Sequence, residues 1–154
     1  MKVKVKIKEY VKVVKEKTIN INDPRLEVKD IIPYCNFDQL VTLTKSKIPY
    51  TRIAALEKIL RKYNYKRSLK IVRSLLDDPS VGVREYLTAW NYQDSDIVDK
   101  FFKDRSYKVR HSMLVSMHIF GREDVLNKYL PKLIKDRSIN VRTLAKELYN
   151  KDLA

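Results

Sequence analysis

The residues best equipped for chemistry in this chain are cations. Between Lys58 and Leu76 there is no acidic residue, yet the stretch carries Lys58, Arg61, Lys62, Lys66, Arg67, Lys70 and Arg73. Tyr63 and Tyr65 interleave with them in the run Arg-Lys-Tyr-Asn-Tyr-Lys-Arg. Cations at this density neutralise phosphates, and each neutralised phosphate releases condensed counterions and adds a salt-dependent increment to affinity. Tyrosine rings beside them would stack on exposed bases. Lys66, Lys70 and Arg73 stand at i, i+4 and i+7, which is one face of a helix. The same residues admit two plainer readings, a solvated basic face or a docking surface for an acidic protein.

Other reactive side chains point away from catalysis. His111 and His118 lie seven apart in a segment that is apolar nearly all round, whereas a metal site needs converging ligands, often at i, i+4. They read as packed or surface histidines, with no metal. Cys35 is the lone cysteine; it cannot form an internal disulfide and reads as a small buried hydrophobe. Two glycines could hardly build a phosphate-cradling loop, and no Gly-x-Ser-x-Gly elbow occurs. No catalytic residue and no cofactor are expected.

The chain has 154 residues, 44% of them hydrophobic, enough for a real core, and carries a formal charge of +14. That charge is uneven. Residues 1–76 hold 19 Lys/Arg against 7 Asp/Glu, a net +12, while residues 77–154 hold 14 against 12, a net +2. No apolar run reaches the length needed to span a bilayer, and the basic N-terminus lacks the apolar core of a signal peptide. A cytoplasmic, non-membrane protein is expected.

The elements that must position these residues follow from periodicity. Residues 2–8 alternate Lys with Val or Ile, so Lys2, Lys4, Lys6 and Lys8 share one strand face and Val3, Val5 and Ile7 the other, with Val11 and Val13 in the same parity. The strand is read as continuing to about Val14, breaking at Lys15-Glu16-Lys17, and returning over residues 18–22 as a β-hairpin. Lysines on a strand face also oppose edge-to-edge aggregation. The apolar face must be covered, either by the first helices or by a second copy in a homodimer. Residues 25–36 read as irregular. From about Asp38 the period is helical, with breaks near Lys45–Pro49, Tyr63–Tyr65, Asp77–Ser80, Asn91–Asp94, Lys103–Ser106, Gly121 and Lys135–Ser138.

A repeat underlies these breaks. Residues 103–110 (KDRSYKVR) and 135–142 (KDRSINVR) agree at six of eight positions. Aligned on the arginine of Val-Arg, Asp78 precedes Arg84, Asp104 precedes Arg110 and Asp136 precedes Arg142. A weaker unit has Ser46 in the Asp place before Arg52. Each unit reads as helix, loop, helix, with the Asp or the following Ser placed to cap the second helix. Val83, Leu87 and Trp90, then Val109, Met113 and Met117, then Val141, Ala145 and Leu148 fall on one face of their helices. A single pair cannot bury such a face alone, so stacking of units into a solenoid is expected. Lys47, Arg105 and Arg137 occupy equivalent loop positions and would extend a positive surface if the loops align.

The pattern Asp-x4-Val-Arg followed by an Ala- or Leu-rich helix resembles HEAT-like repeats of the PBS-lyase type, over about residues 38–150. The resemblance implies a mostly α fold, an α-solenoid of about four helix pairs carrying a small N-terminal β-hairpin. It further implies that Asp78, Arg84, Asp104, Arg110, Asp136 and Arg142 form a structural ladder, bonding within and between neighbouring units. Arg52 lacks its acid, so the first unit departs from the pattern. Some HEAT-like solenoids are DNA glycosylases of the alkylpurine type, with tryptophans and a catalytic aspartate in a basic groove. Here Trp90 is the only tryptophan and falls on an apolar stripe, and Asp94 and Asp96 read as caps of the next helix.

The expected organisation is a hairpin and connector over 1–36 and a repeat array over 37–154. The expected function is non-enzymatic binding, with nucleic-acid phosphates held on the surface centred on residues 58–73. The alternative is a protein-interaction scaffold that docks an acidic partner; the remote alternative is the glycosylase.

Overall fold

The computed structural model describes residues 1–9 and 13–151, with side chains described over 1–6 and 18–150. The described residues are mostly helical, with one two-stranded antiparallel sheet. They fall into two compact units, Met1–Leu75 and Leu76–Ala154. The hairpin and connector over 1–36 lie inside the first unit, together with the first long helices.

In the first unit, β1 (Lys2–Glu9) pairs with β2 (Val13–Asn20), Lys2 opposite Asn20 and Glu9 opposite Val13. The expected break at Lys15-Glu16-Lys17 is not there. Those residues continue the ladder opposite Ile7, Lys6 and Val5. A charged triplet fits a strand because the ladder is made by backbone N–H and C=O groups, which Lys and Glu carry like any other residue. Val3 and Val5 are buried and Lys2, Lys4 and Lys6 exposed, as the alternation predicts. The cover comes from this chain: β1 packs on the segment that follows. Val11 lies outside the described residues, as do the side chains of Ile7, Lys8 and Val13.

That segment is not irregular. It forms α1 (Val28–Ile31), a 3-10 turn (Ile32–Tyr34) and α2 (Phe37–Leu43). Pro33 sits in the first turn of the 3-10 element, where a missing N–H costs nothing. Asn36 and Gln39 form a reciprocal capping box on α2, and the Gln39 Nε2 also donates to the Lys4 carbonyl. Ser46 Oγ donates to the Ile21 carbonyl at 2.5 Å, and the Lys47 N–H donates to Asn22 Oδ1 at 2.8 Å. The hairpin is thereby tied to the loop before α3 (Pro49–Lys62). α4 (Tyr65–Leu75) packs against α3 and completes the unit.

The second unit contains α5 (Val81–Leu87), α6 (Ser95–Phe102), α7 (Tyr107–Ile119), α8 (Glu123–Leu133) and α9 (Ile139–Lys151). α7 packs against all four others, which accounts for its apolar circumference. Val83, Leu87, Val109, Met113, Met117, Val141, Ala145 and Leu148 are all buried, so the face read from the repeat is the core. Each large apolar side chain so buried contributes about 1.5–3 kcal/mol. Trp90 is the exception. α5 stops at Leu87, and Trp90 lies half-buried beyond it. The cause is local: the N–H groups of Thr88 and Ala89 bond Glu85 and Tyr86 in i to i−3 fashion, and Thr88 Oγ1 takes the Glu85 carbonyl and the Ser112 hydroxyl. Side-chain bonding to the backbone of this kind competes with helix continuation.

α7 ends in a Schellman motif. The Gly121 N–H bonds the His118 carbonyl, the Arg122 N–H bonds the Met117 carbonyl at 2.9 Å, and Gly121 has φ 63°. A Cβ there meets nothing within 4 Å, so the whole penalty is conformational. Gly121→Ala is expected to lower stability by roughly 1 kcal/mol, measured by urea unfolding, with Gly121→Asn closer to wild type.

The repeat arginines obey one rule. Each donates Nη1 to the carbonyl six residues back: Arg52 to Ser46, Arg84 to Asp78, Arg110 to Asp104 and Arg142 to Asp136, all at 2.6–2.7 Å. Arg84 and Arg110 add a bidentate bond to the carboxylate of the following loop. Arg84 grips Asp104 at 2.8 and 3.1 Å, and Arg110 grips Asp136 at 2.8 and 2.7 Å. The acids do not cap the helices directly. Asp78, Asp104 and Asp136 each accept from the N–H two residues on, at Ser80, Ser106 and Ser138, an Asx turn that sets the loop. Ser80 and Ser106 are the N-cap residues, without a side-chain cap bond.

This rule explains Ser46. A loop acid is useful where an arginine of a preceding Val-Arg helix reaches it. The loop at Ser46 follows the hairpin, so a buried carboxylate there would lack that partner, whereas a buried hydroxyl bonds Ile21.

Candidate nucleic-acid interface

The basic stretch occupies the end of α3, the turn at Tyr63–Asn64 and α4. α4 buries Ser68, Ile71, Val72 and Leu75, and this spacing leaves Lys66, Lys70 and Arg73 on its exposed side. Ser68 is the polar member of the buried stripe; its hydroxyl bonds the Ile59 carbonyl at 3.3 Å and so joins α4 to α3. On α3, Arg61 and Lys62 are exposed at the C-terminal turn, where cations also complement the helix dipole.

The cations differ in availability. Arg61 bonds Glu57 at 3.0 Å across one helical turn, so it is partly compensated by an acid just outside the acid-free window. Arg67 lies over the Phe37 ring at 3.8 Å and within 5.2 Å of the Tyr63 ring centre. Tyr63 itself is half-buried, edge-to-face with Phe37 at 4.8 Å, with Lys62 at 5.7 Å from its ring. Its faces serve this internal cluster and are not open platforms for bases. Lys58 is half-buried, and Tyr65 is 45% exposed. No carboxylate among the described residues lies in ion-pairing reach of Lys62, Lys66 or Lys70. These three are the open part of the surface.

Three acids of the first unit are spent on local partners. Asp23 pairs with Arg25, Glu27 with Lys29 and Glu57 with Arg61. Such exposed pairs contribute about 0–1 kcal/mol, but they leave the excess of positive charge on the α3–α4 pair and on the hairpin lysines. In the second unit positive and negative charge alternate instead: Lys100 pairs with Asp77, and Lys103 and Lys128 share Asp99. Arg137 donates to the Arg105 carbonyl at 2.6 Å, so these two loops do lie side by side with both arginines exposed.

Two residues of interest escaped the reading of the sequence. Tyr50, at the start of α3, is 60% exposed, and it lines a groove of about 290 Å³ with Lys29, Ile32, Pro33, Ala54, Glu57, Lys58 and Arg61. The available signal was its helical spacing, since Tyr50, Ala54, Glu57, Lys58 and Arg61 fall on one stripe of α3. Glu57 could have been found as the i−4 neighbour of Arg61.

Cys35 is buried, its thiol donating to the Ile31 carbonyl. Burial pushes the thiol up to about 11 against a small opposing effect of the Lys58 charge. At pH 8 only about one thiol in a thousand is then ionised, and the thiolate is the nucleophile. Alkylation by iodoacetamide is expected to be at least about a hundredfold slower in the native protein than in urea, read by mass spectrometry. Among the described residues no group of three or more His, Cys, Asp or Glu is placed to hold a metal ion. His118 is exposed and His111 half-buried. No helix among the described residues is long and apolar enough to cross a membrane.

Comparison of the chain with protein-family models, with curated proteins and with solved structures gives no match.

Proposed function

We propose that the chain is a non-enzymatic binding module of HEAT-like helix pairs that holds nucleic-acid phosphates on the α3–α4 surface. The observation that carries this reading is the row Lys62, Lys66 and Lys70, exposed, without an acidic partner among the described residues, in a unit of net charge +12. Lys and Arg of this kind position a polyanion without reading its sequence. The repeated arginine rule supports the HEAT-like assignment: the same donor geometry recurs at Arg52, Arg84, Arg110 and Arg142, which is what a stack of related helix pairs requires.

The docking of an acidic protein is the second reading. The enclosure of Tyr63 favours it, because that enclosure removes one expected base contact and leaves an electrostatic surface that any polyanion satisfies. A salt series separates the two. Binding to short nucleic acids, measured by fluorescence anisotropy, is expected to weaken linearly in log–log form, with about 0.7 to 0.9 ions released per phosphate contact. No binding at low salt would rule the nucleic-acid reading out.

A further inference from the structure

The groove beside Tyr50 has a composition that the phosphate surface lacks. Its apolar lining is Ile32 and Pro33 from the 3-10 turn and Ala54 from α3. Its charged lining is Lys29, Lys58 and Arg61 with the acid Glu57; Arg61 pairs with Glu57 at 3.0 Å and Lys29 with Glu27 at 3.6 Å, which leaves Lys58 without an acid among the described residues. A planar aromatic, Tyr50, 60% exposed, belongs to the same lining. Exposure of one tyrosine means little by itself. Its place in a groove lined by both apolar and cationic side chains is informative, because that pairing suits a ligand with a flat apolar part and an anionic part.

We infer that this groove takes an unpaired base of a single-stranded nucleic acid, stacked on Tyr50, with the adjoining phosphates on Lys58, Arg61 and Lys29. The inference rests on the nucleic-acid reading above and narrows it to single strands. Three features converge. Tyr63 is enclosed by Phe37 and Arg67, so it does not serve as the stacking platform. The groove takes its lining from the α3 residues Tyr50, Ala54, Glu57, Lys58 and Arg61, and Arg61 directly precedes Lys62, the first of the open lysines, in the chain. A duplex keeps its bases stacked inside and cannot offer one to a groove without first extruding it, at a cost of a few kcal/mol. Stacking on aromatic side chains tolerates any base, because every base has a π face, which agrees with a surface that otherwise contacts phosphates.

The test compares three probes of roughly 12 nucleotides at one low salt concentration: a single strand, the same backbone made abasic, and the blunt duplex. Affinity for the single strand is expected to exceed that for the abasic backbone by roughly tenfold or more. Tyr50→Ala is expected to abolish this difference by weakening the single strand alone, while Tyr50→Phe retains it. Tyr50 is exposed, so the variant folds, and Tyr107→Ala in the second unit serves as the control that changes nothing. Equal affinity for the strand and its abasic form, or an unaffected Tyr50→Ala, overturns the inference and leaves phosphate binding standing; an acidic peptide in the groove would give that result. Absence of binding to all three probes overturns both readings together.

Discussion

Asp136→Ala is expected to destabilise the second unit by about 3–5 kcal/mol, the cost of leaving one member of a buried ion pair without its partner. The side chains of Arg110 and Asp136 are 5% and 9% exposed and joined by two short bonds. Removing the carboxylate leaves the guanidinium buried with only the Asp104 carbonyl, and it also unmakes the Asx turn to Ser138. Asp136→Asn separates these contributions. It keeps an oxygen for the Ser138 N–H and loses the charge, so it should cost roughly half as much. Asp99→Ala, at exposed pairs with Lys103 and Lys128, should cost under about 1 kcal/mol. Trp90 is the only tryptophan and lies in this unit, so its fluorescence in a urea titration reports the right transition. A loss below about 1 kcal/mol for Asp136→Ala would show that the ladder is decoration.

The same pairs give a pH dependence with a defined sign. Burial raises the Asp104 carboxyl, but the Arg84 guanidinium, the Ser106 N–H and the charge of Arg105 outweigh it and hold it below the usual range. Asp136 is held down in the same way by Arg110, Ser138 and Arg137 against its own burial. A group depressed in the folded state contributes stability that is complete above its unfolded value, about 3.9, and is lost as pH falls through the folded value. The second unit should therefore weaken from about pH 4 downward, and Asp136→Asn should lessen that dependence.

How far the sequence discloses these features depends on the range of the interactions involved. The buried stripes of α7 and α9 are legible because they are local and periodic. So is the break at Gly121, where only a residue free of a Cβ accepts the left-handed turn without strain. The ladder is half legible. The spacing places Asp and Arg in each repeat, but the carboxylates of Asp104 and Asp136 belong to the arginine of the preceding repeat, a contact 20 or 26 residues away in sequence. Trp90 misleads because the apolar period runs past the point where Thr88 turns the chain out of the helix. The hairpin misleads for the opposite reason: Lys15-Glu16-Lys17 breaks the alternation in the sequence, yet these residues continue the ladder opposite β1. At the candidate site the charges are visible in the sequence, and of their partners only the i−4 neighbour Glu57 is. Phe37 lies 26 residues before Tyr63 and 30 before Arg67, so no local pattern could show that Tyr63 and Arg67 are engaged with its ring.

That distinction decides which charges to reverse. The triple change Lys62→Glu, Lys66→Glu and Lys70→Glu alters only exposed side chains, so its cost to stability should stay near 0.5 kcal/mol per site or below. Reversing Arg67 would instead break its contact with Phe37 and Tyr63, and reversing Arg61 would set two acids against each other beside Glu57; either change confounds binding with folding. Without these three cations to neutralise phosphates, the salt slope for a single strand should fall by about 2, and affinity at low salt by on the order of 100-fold. Repulsion by the new carboxylates adds to the loss. The matching control reverses Lys132, Lys135 and Lys146, three exposed lysines of the second unit. It changes net charge by the same amount, so a long-range field alone would produce an equal loss, whereas a surface on α3 and α4 requires the control to bind nearly as the wild type does. Measurement of both variants across one salt series thus tells a localised phosphate site from mere excess charge, and an equal loss in the two would dismiss the site.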